Sequence, residues 1–200
     1  MKNFLKKRWY WCLGVCIVVA ALLWLLGGGA PTDQIPTLAV ETPQKMSSSQ
    51  TEELTLDVTI SSLGETRYPA MSMCVSFDPS RLEFLSVEEG NIFISTDENH
   101  TGQRLPVWNC NVQSSNETGR INIMYLDMTG GRNAFTQELL AEEDNVVLRL
   151  KFRLRGSVKA GDVLDLIVED AVFAASDETQ SLAMTANTLK VKNGKLVIGA

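Results

Sequence analysis

The chain has 200 residues, 44% of them apolar and 21% charged, with 18 basic against 24 acidic side chains. That length holds one core of about 150 residues with a smaller segment attached and excludes a large multidomain enzyme. Four of the basic residues fall within the first eight, so residues 31–200 set 14 basic against all 24 acidic side chains. Such a balance excludes the basic surface that phosphate binding needs, and no nucleic-acid partner is expected.

Residues 1–8 read as a basic cytoplasmic tail carrying Lys2, Lys6, Lys7 and Arg8, followed by an uncharged run over 9–30. About 20 apolar residues suffice to cross a bilayer as a helix, so the run is expected to be a transmembrane helix or signal anchor. Trp9, Tyr10, Trp11 and Trp24 suit its two interfaces. With basic residues on the N-terminal side only, the expected localisation is the cell membrane, single pass, with the N-terminus cytoplasmic and the domain extracytoplasmic. A cleaved signal peptide is the alternative, since Gly28 and Ala30 resemble a cleavage site; Pro31 after them and the length of the run speak for retention. Val15 before Cys16 is not the small residue a lipidation signal wants. Residues 31–51 hold three prolines and a Ser run without periodicity, and read as a flexible linker.

From residue 52 the pattern becomes one of alternation. Leu54, Leu56, Val58 and Ile60 alternate with polar residues, and Leu148, Leu150, Phe152 and Leu154 interleave with Arg149, Lys151, Arg153 and Arg155. A helix would mix the two sets on every face, whereas a strand separates them. Further strands are predicted over 71–77, 82–87, 107–112, 121–126, 163–168, 171–174, 188–191 and 195–198, the last two joined by an Asn193-Gly194 hairpin turn. The one helix-like stretch is 135–143. Turn signals at Asp78-Pro79-Ser80, Glu89-Gly90-Asn91, Gly119, Gly130-Gly131 and Gly161-Asp162 separate these elements. About nine short strands without strand–helix alternation imply an all-β body over 52–200, two packed antiparallel sheets as a sandwich or jelly roll.

Little catalytic chemistry is visible. His100 is the single histidine, in a polar loop, and no G-x-S-x-G motif marks a nucleophile, so no catalytic residue is assigned and the chain is expected not to be an enzyme. One histidine and distant cysteines make no zinc spacing, and Asp97-Glu98-Asn99 lacks the spaced oxygens of a calcium loop. No metal or cofactor is therefore assigned. The carboxylate runs Glu88-Glu89 and Glu142-Glu143-Asp144 are adjacent residues, not a pair flanking a cleft. Cys74 has outward and Cys110 inward parity, which disfavours a bridge between them. Asn99 and Asn116 open formal glycosylation sequons.

The segments AMSMCVSFDPSRLEFLSVEEGN, GRINIMYLDMTGG, LRLKFRLRGSVKAGD and LKVKNGKLVI together resemble a cohesin domain. The likeness rests on Phe77-Asp78-Pro79, Leu82-Glu83-Phe84, Gly119-Arg120-Ile121 with Asp127 and Gly130-Gly131, Lys159-Ala160-Gly161-Asp162, and Asn193-Gly194-Lys195, in that order over nearly all of 52–198. The resemblance implies a nine-stranded antiparallel jelly-roll sandwich, not an enzyme, that holds a dockerin-type module, itself calcium-loaded, in polysaccharide-degrading assemblies. It also implies binding on the exposed face of one sheet. Carried over by position, that face comprises Ala70, Ser72 and Cys74, then Asn122, Met124, Leu126, Asp127 and Gly130, with Asn109 and Asn111 on the intervening candidate strand. Where many cohesins place Asn and Asp on the strand before the Asp-Pro turn, this chain has Ala70 and Ser72, which makes the expected patch flatter and more apolar. Alternatives of the same fold are a carbohydrate-binding module, for which a polysaccharide would be the partner, and a structural envelope ectodomain without a dockerin. Sugar binding usually wants exposed planar aromatics, yet Trp108 and Tyr125 have inward parity.

Overall fold

The computed structural model describes residues 35–43, 53–92, 108–141, 145–156, 158–185 and 187–199. Their strands are β1 (Thr37–Val40), β2 (Glu53–Ile60), β3 (Ala70–Ser76), β4 (Leu82–Glu89), β5 (Arg120–Leu126), β6 (Val146–Leu154), β7 (Val163–Ala174), β8 (Leu182–Ala183), β9 (Lys190–Lys192) and β10 (Gly194–Val197). The first sheet runs β4-β6-β2-β1-β9 and the second β10-β7-β3-β5, with β8 paired to β7. The two pack as a mostly-β sandwich, with ten strands among the described residues where nine were expected.

Alternation builds the core. The inward set of β2 is Leu54, Leu56, Val58 and Ile60, and that of β6 is Leu148, Leu150, Phe152 and Leu154, each at most 8% exposed. They meet Met71, Met73 and Val75 of β3, Ile121, Ile123 and Tyr125 of β5, and Leu164, Leu166 and Val168 of β7. Removing one such large apolar side chain from water contributes about 1.5–3 kcal/mol. Phe152 sits in edge-to-face contact with Phe77 and Phe84, at centroid distances of 5.4 and 5.6 Å.

Four expectations are corrected. First, the linker 31–51 ends early: residues 37–40 form β1, antiparallel to β2 and parallel to β9, with Leu38, Ala39 and Val40 all buried. Second, Asn193-Gly194 makes no hairpin turn. Only Asn193 separates β9 in the first sheet from β10 in the second, so one continuous chain passes between sheets. A Cβ at Gly194 would lie 2.8 Å from Val40 Cγ1, and this close approach, not a turn, requires the glycine. Third, the stretches 163–168 and 171–174 are one strand; the register with β3 skips Glu169, and this bulge moves the inward set from even to odd numbers. Fourth, the described part of 107–112, residues 108–112, forms no strand: Asn109 makes one bridge to Met124, and a helix, α1 (Val112–Thr118), follows. Asn111 caps it, its Oδ1 accepting from the Ser114 N–H at 2.9 Å, and Gly119 ends it in the left-handed region at φ 70. Of the helix-like stretch 135–143, the described residues 135–141 hold a short 3-10 turn over Gln137–Leu139.

The expected cell-membrane localisation is overturned: among the described residues no helix is long and apolar enough to cross a membrane. The basic tail 1–8 and the apolar run 9–30 that prompted it lie outside the described residues, as do His100, Asp97, Glu98, Asn99 and 142–144.

Helix α1 also closes a sheet edge. Asn116 Oδ1 accepts from the Phe84 N–H and its Nδ2 donates to the Phe84 carbonyl, both at 2.8 Å, so one side-chain amide pairs with edge strand β4 as a neighbouring strand would. The Asn116 amide is thereby engaged inside the fold. Asn116→Ala is expected to cost about 1–3 kcal/mol, one to two net hydrogen bonds with a strand edge uncovered, read as a lower thermal midpoint by circular dichroism. An unchanged midpoint would show that water replaces the amide at no loss.

Candidate partner-binding face

The two sheets present different outer faces. On the first, the basic residues of β6 are flanked by acids of β2 and β4: Arg149 pairs with Asp57 at 3.1 Å, Lys151 with Glu88 at 2.7 Å, and Arg153 with Glu53 at 2.9 Å, while Arg155 reaches Glu83 at 3.3 Å. Such exposed pairs contribute at most about 1 kcal/mol each. They leave a neutralised, well-hydrated surface with little to gain from a partner.

The outer face of the second sheet carries the expected residues in register. β3 and β5 are antiparallel neighbours, and their outward residues pair as Ala70 with Leu126, Ser72 with Met124 and Cys74 with Asn122. β7 extends the same rows through Ala174, Val172 and Asp170. Met124 is 57% and Leu126 54% exposed, and Met128 just beyond is 83% exposed. Large apolar side chains left this open are isolated on most surfaces, whereas here they adjoin the small Ala70 and Ser72.

The remaining expected residues divide. Asn109 is exposed and lies beside Met124, its backbone N–H donating to the Met124 carbonyl at 2.9 Å and its carbonyl accepting from the Met124 N–H at 3.0 Å. Asn111 is occupied as the cap of α1. Cys74 has the outward parity expected of it but is only 6% exposed, a correction to its place on an open patch. The β7 bulge aims Glu169 at Arg120, and their ion pair lies over the thiol, with Arg120 Nη2 donating to Cys74 Sγ at 3.5 Å. Burial pushes the Cys74 thiol up from its ordinary value, against the nearby Arg120 and with the help of Glu169. It remains a protonated, unreactive group. Cys110 packs toward the core on the other side, and both cysteines are free.

Asp127 organises the loop that borders the face. Its Oδ1 accepts from the Thr129 N–H at 2.7 Å and from Thr129 Oγ1, and its Oδ2 accepts from the Gly131 N–H at 2.7 Å; Gly130 stands between at φ 73. Desolvation opposes ionisation, but the hydrogen bonds from Thr129, Gly131 and Asn133 outweigh it and hold the carboxyl below its ordinary value. Asp127 is thus a loop-shaping residue. Since the folded carboxyl ionises at lower pH than the unfolded one, near 3.9, its stabilisation is complete above the unfolded pKa and lost as pH falls through the folded one. Asp127→Asn is expected to lower the thermal midpoint at pH 7 and to show a smaller further drop at pH 3 than the parent; equal drops would exclude this carboxylate from acid sensitivity.

The aromatic residues lie beneath the sheet. Trp108, Tyr125 and Phe135 form a cluster with centroids 5.2–6.3 Å apart. The Tyr125 hydroxyl donates to the Asn133 carbonyl at 2.6 Å, and burial, with the Asp127 charge adding to it, pushes its pKa up to about 12. Among the described residues the face therefore carries no planar ring on which a sugar could stack. Nor do the described residues contain a cluster of three metal-ligating side chains.

Several solved structures share this architecture. The third cohesin of ScaC from Acetivibrio cellulolyticus, in complex with the ScaB dockerin, aligns over 83% of this chain and 100% of its own at a TM-score of 0.58 and 16% identity. The OlpA cohesin of Clostridium thermocellum, in complex with Doc918, covers 82% and 99% at 0.57 and 16% identity. A cohesin module of a Clostridium perfringens family 33 glycoside hydrolase covers 82% and 97% at 0.55 and 9% identity. No curated protein matches in sequence. At these identities the structural likeness establishes the fold, while the family follows from sequence: a cohesin-domain profile matches residues 40–192, most of the chain, and the chain belongs to the cohesin family.

Proposed function

We propose that this cohesin domain is a non-catalytic adaptor that holds a dockerin-type protein module against the outer face of β7, β3 and β5, in a cellulosome-like assembly. Cohesin domains are binding modules, and several of the similar solved structures are cohesins in complex with dockerins. The observation that carries the reading is the exposed apolar row of Met124 and Leu126 beside Ala70 and Ser72, opposite a first sheet whose charges are already paired. Interface energy concentrates in a few well-packed anchors, and with Ala70 and Ser72 small, Met124 and Leu126 are the side chains able to serve as such. The partner's contact surface is accordingly apolar and close-fitting.

The test is calorimetric titration of the full chain with calcium-loaded dockerin modules encoded in the same genome, repeated with chelator. Saturable binding that disappears with calcium supports the adaptor reading. Retention on insoluble polysaccharide with no dockerin bound would replace it with direct sugar recognition.

A further inference from the structure

Where β3 runs into the Phe77-Asp78-Pro79 turn beside the start of β7, a recess of about 310 Å³ opens. It is lined by the buried Phe77 and Leu164 and by the exposed Val163, Ile167, Asp78 and Asp165. Ser76 and Ile167 are cross-strand partners, which puts the recess on the same face as Met124, whose own partner Ser72 lies four residues back along β3. At about 3.3 Å per residue the two are roughly 13 Å apart.

The chemistry of this recess is specific. Val163 and Ile167 are 41% and 45% exposed, apolar side chains left uncovered. Arg81 also lines it, but its guanidinium is ion-paired with Asp162, which is held in turn by the Lys159 N–H at 2.8 Å. Asp78 spends one oxygen on the Ser80 N–H and Oγ, at 2.9 and 2.6 Å. Asp165 makes no ion pair with a described residue, even with Lys195 opposite it on β10. By contrast Glu53, Asp57, Glu83 and Glu88 of the first sheet are each ion-paired. Two carboxylates with oxygens that no described residue engages therefore share the recess with exposed apolar side chains. A divalent ion would want more oxygen ligands and no such apolar lining. A carbon chain ending in a cation satisfies both parts, its stem on Val163 and Ile167 and its head between the carboxylates.

We infer that this recess is a receptor for one lysine or arginine side chain of a protein partner. That the partner is of dockerin type rests on the function proposed above; the recess and its ligand class do not. The net acidity of residues 31–200 favours such a partner at longer range.

The experiment follows amide resonances of Ser76, Asp165 and Ile167 in the labelled full chain during titration with N-acetyl-lysine methylamide. The uncharged norleucine analogue and the Asp165→Asn chain serve as comparisons. The expected result is a saturable shift with a Kd on the order of 1 mM, at least about fivefold weaker with the analogue or the variant, and retained in Lys151→Gln, which lies on the outer face of the other sheet. Absence of the shift, an equal shift with norleucine, or undiminished binding by Asp165→Asn would overturn the inference. Because the probe reports without any dockerin, its failure is distinguishable from failure of the docking face.

Discussion

Met124→Arg is expected to weaken partner binding by about 30-fold or more, the size of an anchor residue worth about 2 kcal/mol or more. The side chain stands 57% exposed in the middle row of the face, between Ser72 on β3 and the bridging Asn109. Its ties to the fold run through its backbone, to Asn109 on one side, so the new guanidinium reaches water without strain and the thermal midpoint stays within about 2 °C. Buried beneath a partner, the same charge would lack a counter-ion and lose its hydration. Lys151→Gln, on the outer face of the first sheet, is the matched control and should leave binding unchanged. Equal affinities for Met124→Arg and the parent chain would move the interface off this face.

Phe135→Ala is expected to destabilise the domain by about 3–5 kcal/mol, the range for truncating a buried aromatic. Phe135 is 0% exposed, lies in edge-to-face contact with Tyr125 and Phe173 at 5.2 Å each, and exchanges backbone hydrogen bonds with Tyr68. No neighbouring element can close over the space, because those contacts are rings fixed on β5 and β7. At roughly 2–4 °C per kcal/mol for a domain of this size, the thermal midpoint should fall by about 10 °C. Phe135→Leu should recover most of it, and a loss below 1 kcal/mol would mean that the cluster repacks.

The strands with sustained alternation were legible: β2 and β5 bury one parity and leave the other more open along their length, and β3 and β6 depart from this only at Cys74 and Val147. What broke the period hid the rest. The bulge at Glu169 made β7 look like two strands, and Pro36 ahead of a four-residue β1 made it look like tether. Asn193-Gly194 carries a hairpin signature because the dipeptide is compatible with that turn, yet here the glycine answers to crowding by Val40, a contact distant in sequence. Helix α1 had a local signal in the Asn111 cap and Gly119 stop, outweighed by the parity of Trp108, Cys110 and Val112. On β3 and β5, parity separates Ser72, Asn122, Met124 and Leu126 from the buried residues between them, but it misses the burial of Cys74, and Asn111 lies on no strand. Parity could not supply the β3–β5 register, the cover that Arg120 and Glu169 place over Cys74, or the recess at the end of β3, all of which depend on which strands become neighbours.

The parallel seam between β1 and β9 sets Thr37 against Lys190 and Ala39 against Lys192. Joining positions so remote along the chain is entropically the most demanding closure in the sheet and favours late formation over early nucleation. During synthesis on the ribosome the first sheet must wait, with one flank of β1 unzipped, until β9 emerges. The same geometry makes the two ends of the domain mutual locks: clipping either one frays the other.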